Sequence, residues 1–433
     1  MAARRPVDDP STTSGTGYGA LLRTPGSWTF LLPALAARLP YAMLSLGIVL
    51  LVHDTTGSYG LAGAVAAVAA VAQALVGPQT GRLADRYGQA AVLVPSVVVH
   101  ALAVAALVLL ARGGAPDWTL FLAAAPAGAA VPQVGAMVRA RWVHRLDARP
   151  GLLNTAFAFE SVTDEFTFVV GPMLATGVAT LADPSVGLAA EAALTLLGGL
   201  AFAARRDTAP VPTGPAAPGH RRASALASPG VRLLAGAFLG LGTVFGTLQV
   251  SITAFAEDAG SAGLSGLVYG LFATGSMAAG VLYGLVPWRS GARQRMVACY
   301  ALLVLGCSTL WAMPNLAALT AACLFCGLAI APTLITGYTL VESLVADGAK
   351  TEAFTWLTGA IGLGLALGST AAGQLIDRSG PSLGFTVALA GSGLGLVALV
   401  TMRRLLAVPA PAARTVARGG VVREQLAGAA RRG

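Results

Sequence analysis

The chain has 433 residues, of which 11% are charged and 55% apolar, with a mean hydropathy of +0.72 and a formal net charge of +9. An average soluble protein carries roughly 25% charged residues, so a soluble globule of this size could not cover its surface. The same numbers exclude a disordered protein, a disulfide-rich secreted domain and a nucleic-acid binder.

Nearly uncharged stretches long enough to cross ~30 Å of hydrocarbon, about 20 residues each, recur along the chain. In order they cover residues 28–52, 59–77, 90–111, 118–138, 155–182, 186–204, 231–256, 263–288, 296–313, 316–345, 353–376 and 382–402, and are spans one to twelve below. The expected fold class is an all-α integral membrane protein of twelve transmembrane helices. Before them, residues 1–27 read as a polar, disordered tail. The first run has no small-residue cleavage site and reads as an uncleaved span.

An even span count places both termini on one side. Connections on that side carry Arg4, Arg5 and Arg23, then Arg82 and Arg86, then Arg139, Arg141, Arg145 and Arg149. Arg205, Arg206, Arg221, Arg222 and Arg232 follow, then Arg289, Arg293 and Arg295, Lys350, and the arginines after Met402. The opposite side holds only Arg112 and Arg378, and Arg38 lies inside span one. By the positive-inside rule both termini are cytoplasmic, in a multi-pass protein of the plasma or inner membrane. The positive charge is therefore a topology signal. Residues 205–230, rich in Pro, Gly and Ala, divide a first half (28–204) from a second half (231–402), and 403–433 form a cytoplasmic tail.

Between spans two and three lies Gly81-Arg-Leu-Ala-Asp85-Arg86-Tyr-Gly88. This octet resembles the loop-2/3 signature of the major facilitator superfamily, and the resemblance covers residues 28–402. It implies two pseudo-symmetric six-helix halves around a central site. After Gly88 the chain departs from the signature, with Gln89 and Ala90 where the family carries basic residues. Glycines permit a tight turn between helix ends, and Asp85 can accept hydrogen bonds from helix N-terminal amides or pair with an arginine. We read the motif as a conformational latch. A partial echo, Gly284-x4-Arg289-x-Gly291, follows span eight at an offset of 203, with Trp288 in place of the aspartate. Span five aligns with span eleven at an offset of 197, so that Phe157 meets Phe354 and Gly171 meets Gly368.

Span three carries His100, which reads as a packing histidine. Span four has no basic residue before Arg139, whereas many drug–proton exporters of this family carry an arginine midway. Span five contains Glu160, Asp164 and Glu165, followed by Gly171 and Pro172, which resemble part of the family's exporter motif. Counting ~1.5 Å per residue, Asp164 and Glu165 lie at the depth of Arg38, near the bilayer centre. Charges there must face protein or water. We expect Arg38 to meet Asp164 or Glu165, with Glu160 sharing the face of Asp164, as an ion pair or as a coupling site.

The remaining signals are bland. Cys323-Leu-Phe-Cys326 has redox spacing but lies among apolar residues, and reads as buried small hydrophobes. The strings 240–246 and 362–368, with three glycines each, lack a phosphate-loop lysine and read as close helix contacts. No metal-ligand spacing or catalytic set is present, so neither enzyme activity nor a cofactor is expected. By the family resemblance, spans one, four, seven and ten line the cavity and offer Arg38, Tyr41, Gln133, Gln249, Thr333, Thr336 and Tyr338. Such an apolar wall suits amphiphilic compounds. The expectation is a monomeric exporter with a small-molecule substrate, lipid around it and protons as coupling ion; an importer of a sugar or organic anion is the alternative.

Overall fold

The computed structural model describes residues 17–214, 224–261 and 264–407. Twelve helical spans follow one another: Ser27–Thr56, Tyr59–Tyr87, Gln89–Arg112, a fourth in two pieces (Asp117–Ala129 and Val134–Arg145), Leu153–Leu181 and Pro184–Ala204. The second set is Pro229–Asp258, Ser265–Leu285, Ala292–Leu310, Leu316–Leu344, Lys350–Ser379 and a twelfth in two pieces, Pro381–Gly384 and Thr386–Thr401. No strand occurs among the described residues. Ten of the spans are long and apolar enough to cross a membrane. Span five falls short because of its three acids, and span nine because it is 19 residues long and opens with two arginines.

Local chemistry sets the helix starts. The Ser58 hydroxyl accepts from the Leu61 amide, the Asn315 side chain accepts from Ala318, and the Asp183 carboxylate accepts from Ser185 with Pro184 at the first helical position. These caps satisfy amides that have no intrahelical partner. The outer surface is apolar: Leu102, Leu109 and Leu394 are about two-thirds exposed or more. In water such a belt would drive association, whereas hydrocarbon accepts it at no cost.

Inside lipid, packing replaces hydrophobicity as the force between helices. The two glycine strings meet each other on spans seven and eleven. A Cβ at Gly246 would lie 2.0 Å from the Leu365 carbonyl oxygen, and one at Gly364 would lie 2.0 Å from that of Leu239. Three cysteines, 307, 323 and 326, are fully buried between spans nine and ten.

Three expectations are corrected. Span four is not one helix: Pro126 and Pro132 both lack an amide hydrogen, and the chain leaves the helix at 130–133. Its second piece runs to Arg145, so Arg139 and Arg141 are not loop residues but fully buried helical ones. The end of the N-terminal tail is not disordered: Tyr18–Leu22 forms a short helix with Leu21 buried, and the Tyr18 hydroxyl donates to the carbonyls of Gly280 and Val281 at 3.4 and 3.2 Å. Arg4, Arg5, Arg221, Arg222 and the arginines after Arg404 lie outside the described residues.

Candidate functional site: a charge network and a sealed seam

The Gly81–Gly88 motif is helical rather than a loop. Span two is 29 residues long, about 43 Å at 1.5 Å per residue, so its last turns project beyond ~30 Å of hydrocarbon. Only Gly88, with φ +96°, makes the turn. The Asp85 carboxylate accepts from the backbone amides of Thr351 and Glu352 at 3.2 and 3.0 Å, the first turn of span eleven in the other half. A carboxylate there meets both free amides and the positive end of the helix dipole. Gly81 lets the spans touch, since a Cβ would lie 2.7 Å from the Thr355 hydroxyl. Arg86 stacks on Tyr87 at 4.9 Å.

Beyond the motif, Gln89 is buried; it accepts from Arg141 Nε at 2.8 Å and donates to the Met137 carbonyl at 3.0 Å. Arg141 also donates to the Thr208 hydroxyl and the Phe202 carbonyl, and stacks on the Phe202 ring at 3.7 Å. A basic residue at 89, as in the family signature, would face a buried guanidinium. Gln89→Arg is therefore expected to cut membrane abundance several-fold, because an uncompensated buried charge costs about 3–5 kcal/mol. The swap Gln89→Arg with Arg141→Gln should recover it, as read by detergent-extracted protein on size exclusion.

The second seam repeats the first geometrically but not chemically. Gly284 faces Ala158, with a Cβ placed 2.6 Å from the alanine methyl, and its carbonyl accepts from the Thr155 hydroxyl at 2.9 Å. Under the two offsets, Gly284 and Ala158 correspond to Gly81 and Thr355. Arg289 is exposed and has no ion pair among the described residues. Arg295 takes the buried position instead, donating to the Tyr283 hydroxyl at 2.8 Å beside the stacked Tyr283 and Trp288 rings.

Between the seams lies an aromatic plug. Phe157 and Phe354 meet edge to face at 5.7 Å, Tyr338 touches both, and Phe238 packs on Tyr338 at 5.3 Å. Arg139 sits 4.0 Å over the Tyr338 ring, a cation–π contact between halves. Tyr338, expected on a cavity wall, closes the seam instead. Thr333 and Thr336 are also fully buried: each donates to a carbonyl of its own helix, and Thr336 pairs with the Tyr283 hydroxyl. Gln249 is exposed on span seven.

The buried charges gather in the first half. Arg38 reaches Glu160 at 2.5 Å and Asp164 at 3.0 Å, and Asp164 also binds Arg139. Glu160 is fully buried and accepts from the Trp142 indole at 2.8 Å. Gly135 makes room, for a Cβ there would approach Arg38 to 2.9 Å and Arg139 to 3.3 Å. The network is neutral overall, two cations against two anions. Arg139 was not visible as a member in the sequence, because its depth depends on the break in span four. Gly171 packs between Leu39 and Ala42 of span one, with Pro172 beside it inside the helix, which holds span five against Arg38's helix.

Glu165 does not join this network. It is rotated onto span eight, buried, and accepts from the Ser276 hydroxyl at 2.7 Å; no ion pair to it occurs among the described residues. This is the innermost of the hydrogen bonds described between halves. The others, from Asp85, Thr155, Tyr18 and the Asn154–Thr339 pair, lie nearer the arginine-rich side. A cavity of about 70 Å³ remains between Tyr41, Gln73, Gly77, Gln133 and Thr355. Drug-sized ligands need roughly 300 Å³ or more, so this crevice by itself does not seat one.

A family model described as Major Facilitator Superfamily matches residues 30–286 and again 234–429. The chain belongs to the major facilitator superfamily. It is thus a multi-pass membrane transporter, of a family built for transport rather than catalysis. The fold is similar to a bacterial homologue of the iron transporter ferroportin in its outward-facing state, with TM-score 0.72 and 17% identity over 87% of this chain and 99% of that one. The same protein with soaked iron gives 0.69 and 16%, over 87% and 98%. The human organic anion transporter MFSD10 (TETRAN) gives 0.63 and 19%, over 88% and 98%. No curated protein matches the sequence.

Proposed function

We propose that this superfamily transporter is a proton-coupled exporter of small amphiphilic compounds, acting as a monomer in the cell membrane with both termini cytoplasmic. In that orientation the arginine-rich side is cytoplasmic and the sealed seam makes this an outward-facing conformation, in keeping with the likeness to the outward-facing ferroportin homologue. Glu165 carries the reading. It is a buried carboxylate without a cation among the described residues, bonded across the halves to Ser276. Ionised, it costs several kcal/mol in low dielectric unless water reaches it. The Ser276 bond must break when the halves rock, so proton uptake at Glu165 and the conformational step are linked.

The walls support the cargo class. Tyr41, Gln73 and Gln133 offer a phenol and two amides among apolar residues. Among the described residues no three of His, Cys, Asp or Glu converge as metal ligands. Neutral oxygen and amide groups beside apolar surface fit an organic amphiphile better than a transition-metal ion. A susceptibility screen of cells with and without the chain, across toxic amphiphiles, tests the reading. Equal sensitivity throughout at normal membrane abundance would count against export. For compounds that the screen identifies, Glu165→Gln should keep abundance and downhill exchange but abolish pH-gradient-driven flux in proteoliposomes. Unchanged gradient-driven flux in that variant removes the coupling role.

A further inference from the structure

His100, which reads as packing in the sequence, holds a specific post. It is fully buried on span three, with Nδ1 2.8 Å from the Ala127 carbonyl oxygen and Nε2 2.9 Å from Glu191 Oε1 on span six. Glu191 is buried too, and also accepts from the Thr195 hydroxyl at 3.2 Å. The carbonyl is a special one. In an unbroken helix the Val131 amide would donate to Ala127, but at the break in span four it donates to Gly128 at 3.1 Å. Ala127 therefore needs a donor from outside its helix, since an unpaired buried carbonyl is costly.

The proton positions follow. A carbonyl oxygen only accepts, so Nδ1 carries hydrogen. Nε2 and Glu191 then face each other across 2.9 Å with one proton between them, as imidazolium and carboxylate or as imidazole and carboxylic acid. Either form is neutral as a pair, which is how two ionisable groups persist at this burial. Span four is held from its other face as well: a Cβ at Gly128 would overlap the Ala69 carbonyl oxygen of span two at 1.9 Å.

We propose that His100 and Glu191 share a single proton and act as positioning residues, pinning the break in span four and so aiming the half-helix that carries Gln133 and Arg139. The pair touches neither cavity nor charge network; it acts through the 127–133 backbone. The proposal does not depend on the cargo or its direction, and its test needs no substrate.

The experiment uses the purified full chain in lipid nanodiscs, comparing hydrogen–deuterium exchange of peptides over 126–137 with a control peptide over 300–310, and following thermal unfolding in parallel. His100→Leu should speed exchange over 126–137 by about tenfold or more, because the carbonyl loses its donor and local opening becomes easier. Glu191→Gln should stay within about twofold of the parent, since the amide can donate to Nε2 and leave the Nδ1 bond intact. The double variant His100→Leu with Glu191→Leu should regain the part of the unfolding temperature that the orphaned Glu191 costs, yet keep the fast exchange, because the Ala127 carbonyl still has no donor. That split separates positioning from packing. If the double variant restores slow exchange, or if Glu191→Gln exchanges as fast as His100→Leu, the proposal is wrong. If His100→Leu alone does not fold, the other two variants decide it.

Discussion

Arg38→Ala is expected to leave little folded protein in the membrane. Glu160 is fully buried, and Arg38 at 2.5 Å is its only ion-pair partner among the described residues. Asp164 keeps Arg139, so the loss falls on Glu160, which retains only the Trp142 indole. Removing one partner of a buried pair costs about 3–5 kcal/mol, a large share of the roughly 5–15 kcal/mol that holds a folded domain together. Removing both is different: Arg38→Met with Glu160→Met leaves Arg139 and Asp164 paired and no orphaned charge. That double variant should regain most of the abundance on size exclusion and most of the thermal midpoint. Normal abundance of Arg38→Ala would show the pair to be dispensable for folding.

Asp85→Asn acts on conformation rather than folding. Its two oxygens hold two amides of span eleven only while the seam is closed. Asparagine keeps one acceptor, turns a donor toward the other amide and removes the charge from the helix dipole. Hydrogen bonds to charged groups are worth about 1.5–3 kcal/mol, so the sealed state should lose roughly ten- to a hundredfold in relative population. Flux should fall strongly at normal membrane abundance. A single cysteine at Thr355, in a background without the four native ones, should react faster with a maleimide applied from the arginine-rich side. Unchanged labelling and near-normal flux would oppose the latch.

The spans were legible because lipid imposes one requirement, about 20 apolar residues with internally satisfied backbone. The Asp85 contact with helix-terminal amides was legible because a carboxylate and spaced glycines have few other uses at a helix end. The break in span four was less so. Its signal was the pair Pro126 and Pro132, six residues apart, and missing it placed Arg139 and Arg141 in solvent. Which span-five acid pairs with Arg38 depends on helix rotation: Glu160 and Asp164, four apart, share the face toward span one, and Glu165 turns ~100° away to span eight. Glu191 escaped notice as a lone acid among alanines. The available signal was that an acid in span six and a histidine in span three, each isolated in apolar sequence, are natural partners for one another's charge.

The two seams are matched in shape and unlike in kind. One edge is fastened by a carboxylate against a helix terminus; the other by Thr155 on a carbonyl, Tyr18 on two more and Asn154 on Thr339, all uncharged. Salt screens charged fastenings, modestly at a half-buried one such as Asp85, and leaves neutral ones untouched. Raising ionic strength should therefore loosen the Asp85 edge while the neutral edge holds. The chain would open on this side like a door on one jamb, swinging from the span five and span eight side, rather than like curtains drawn apart.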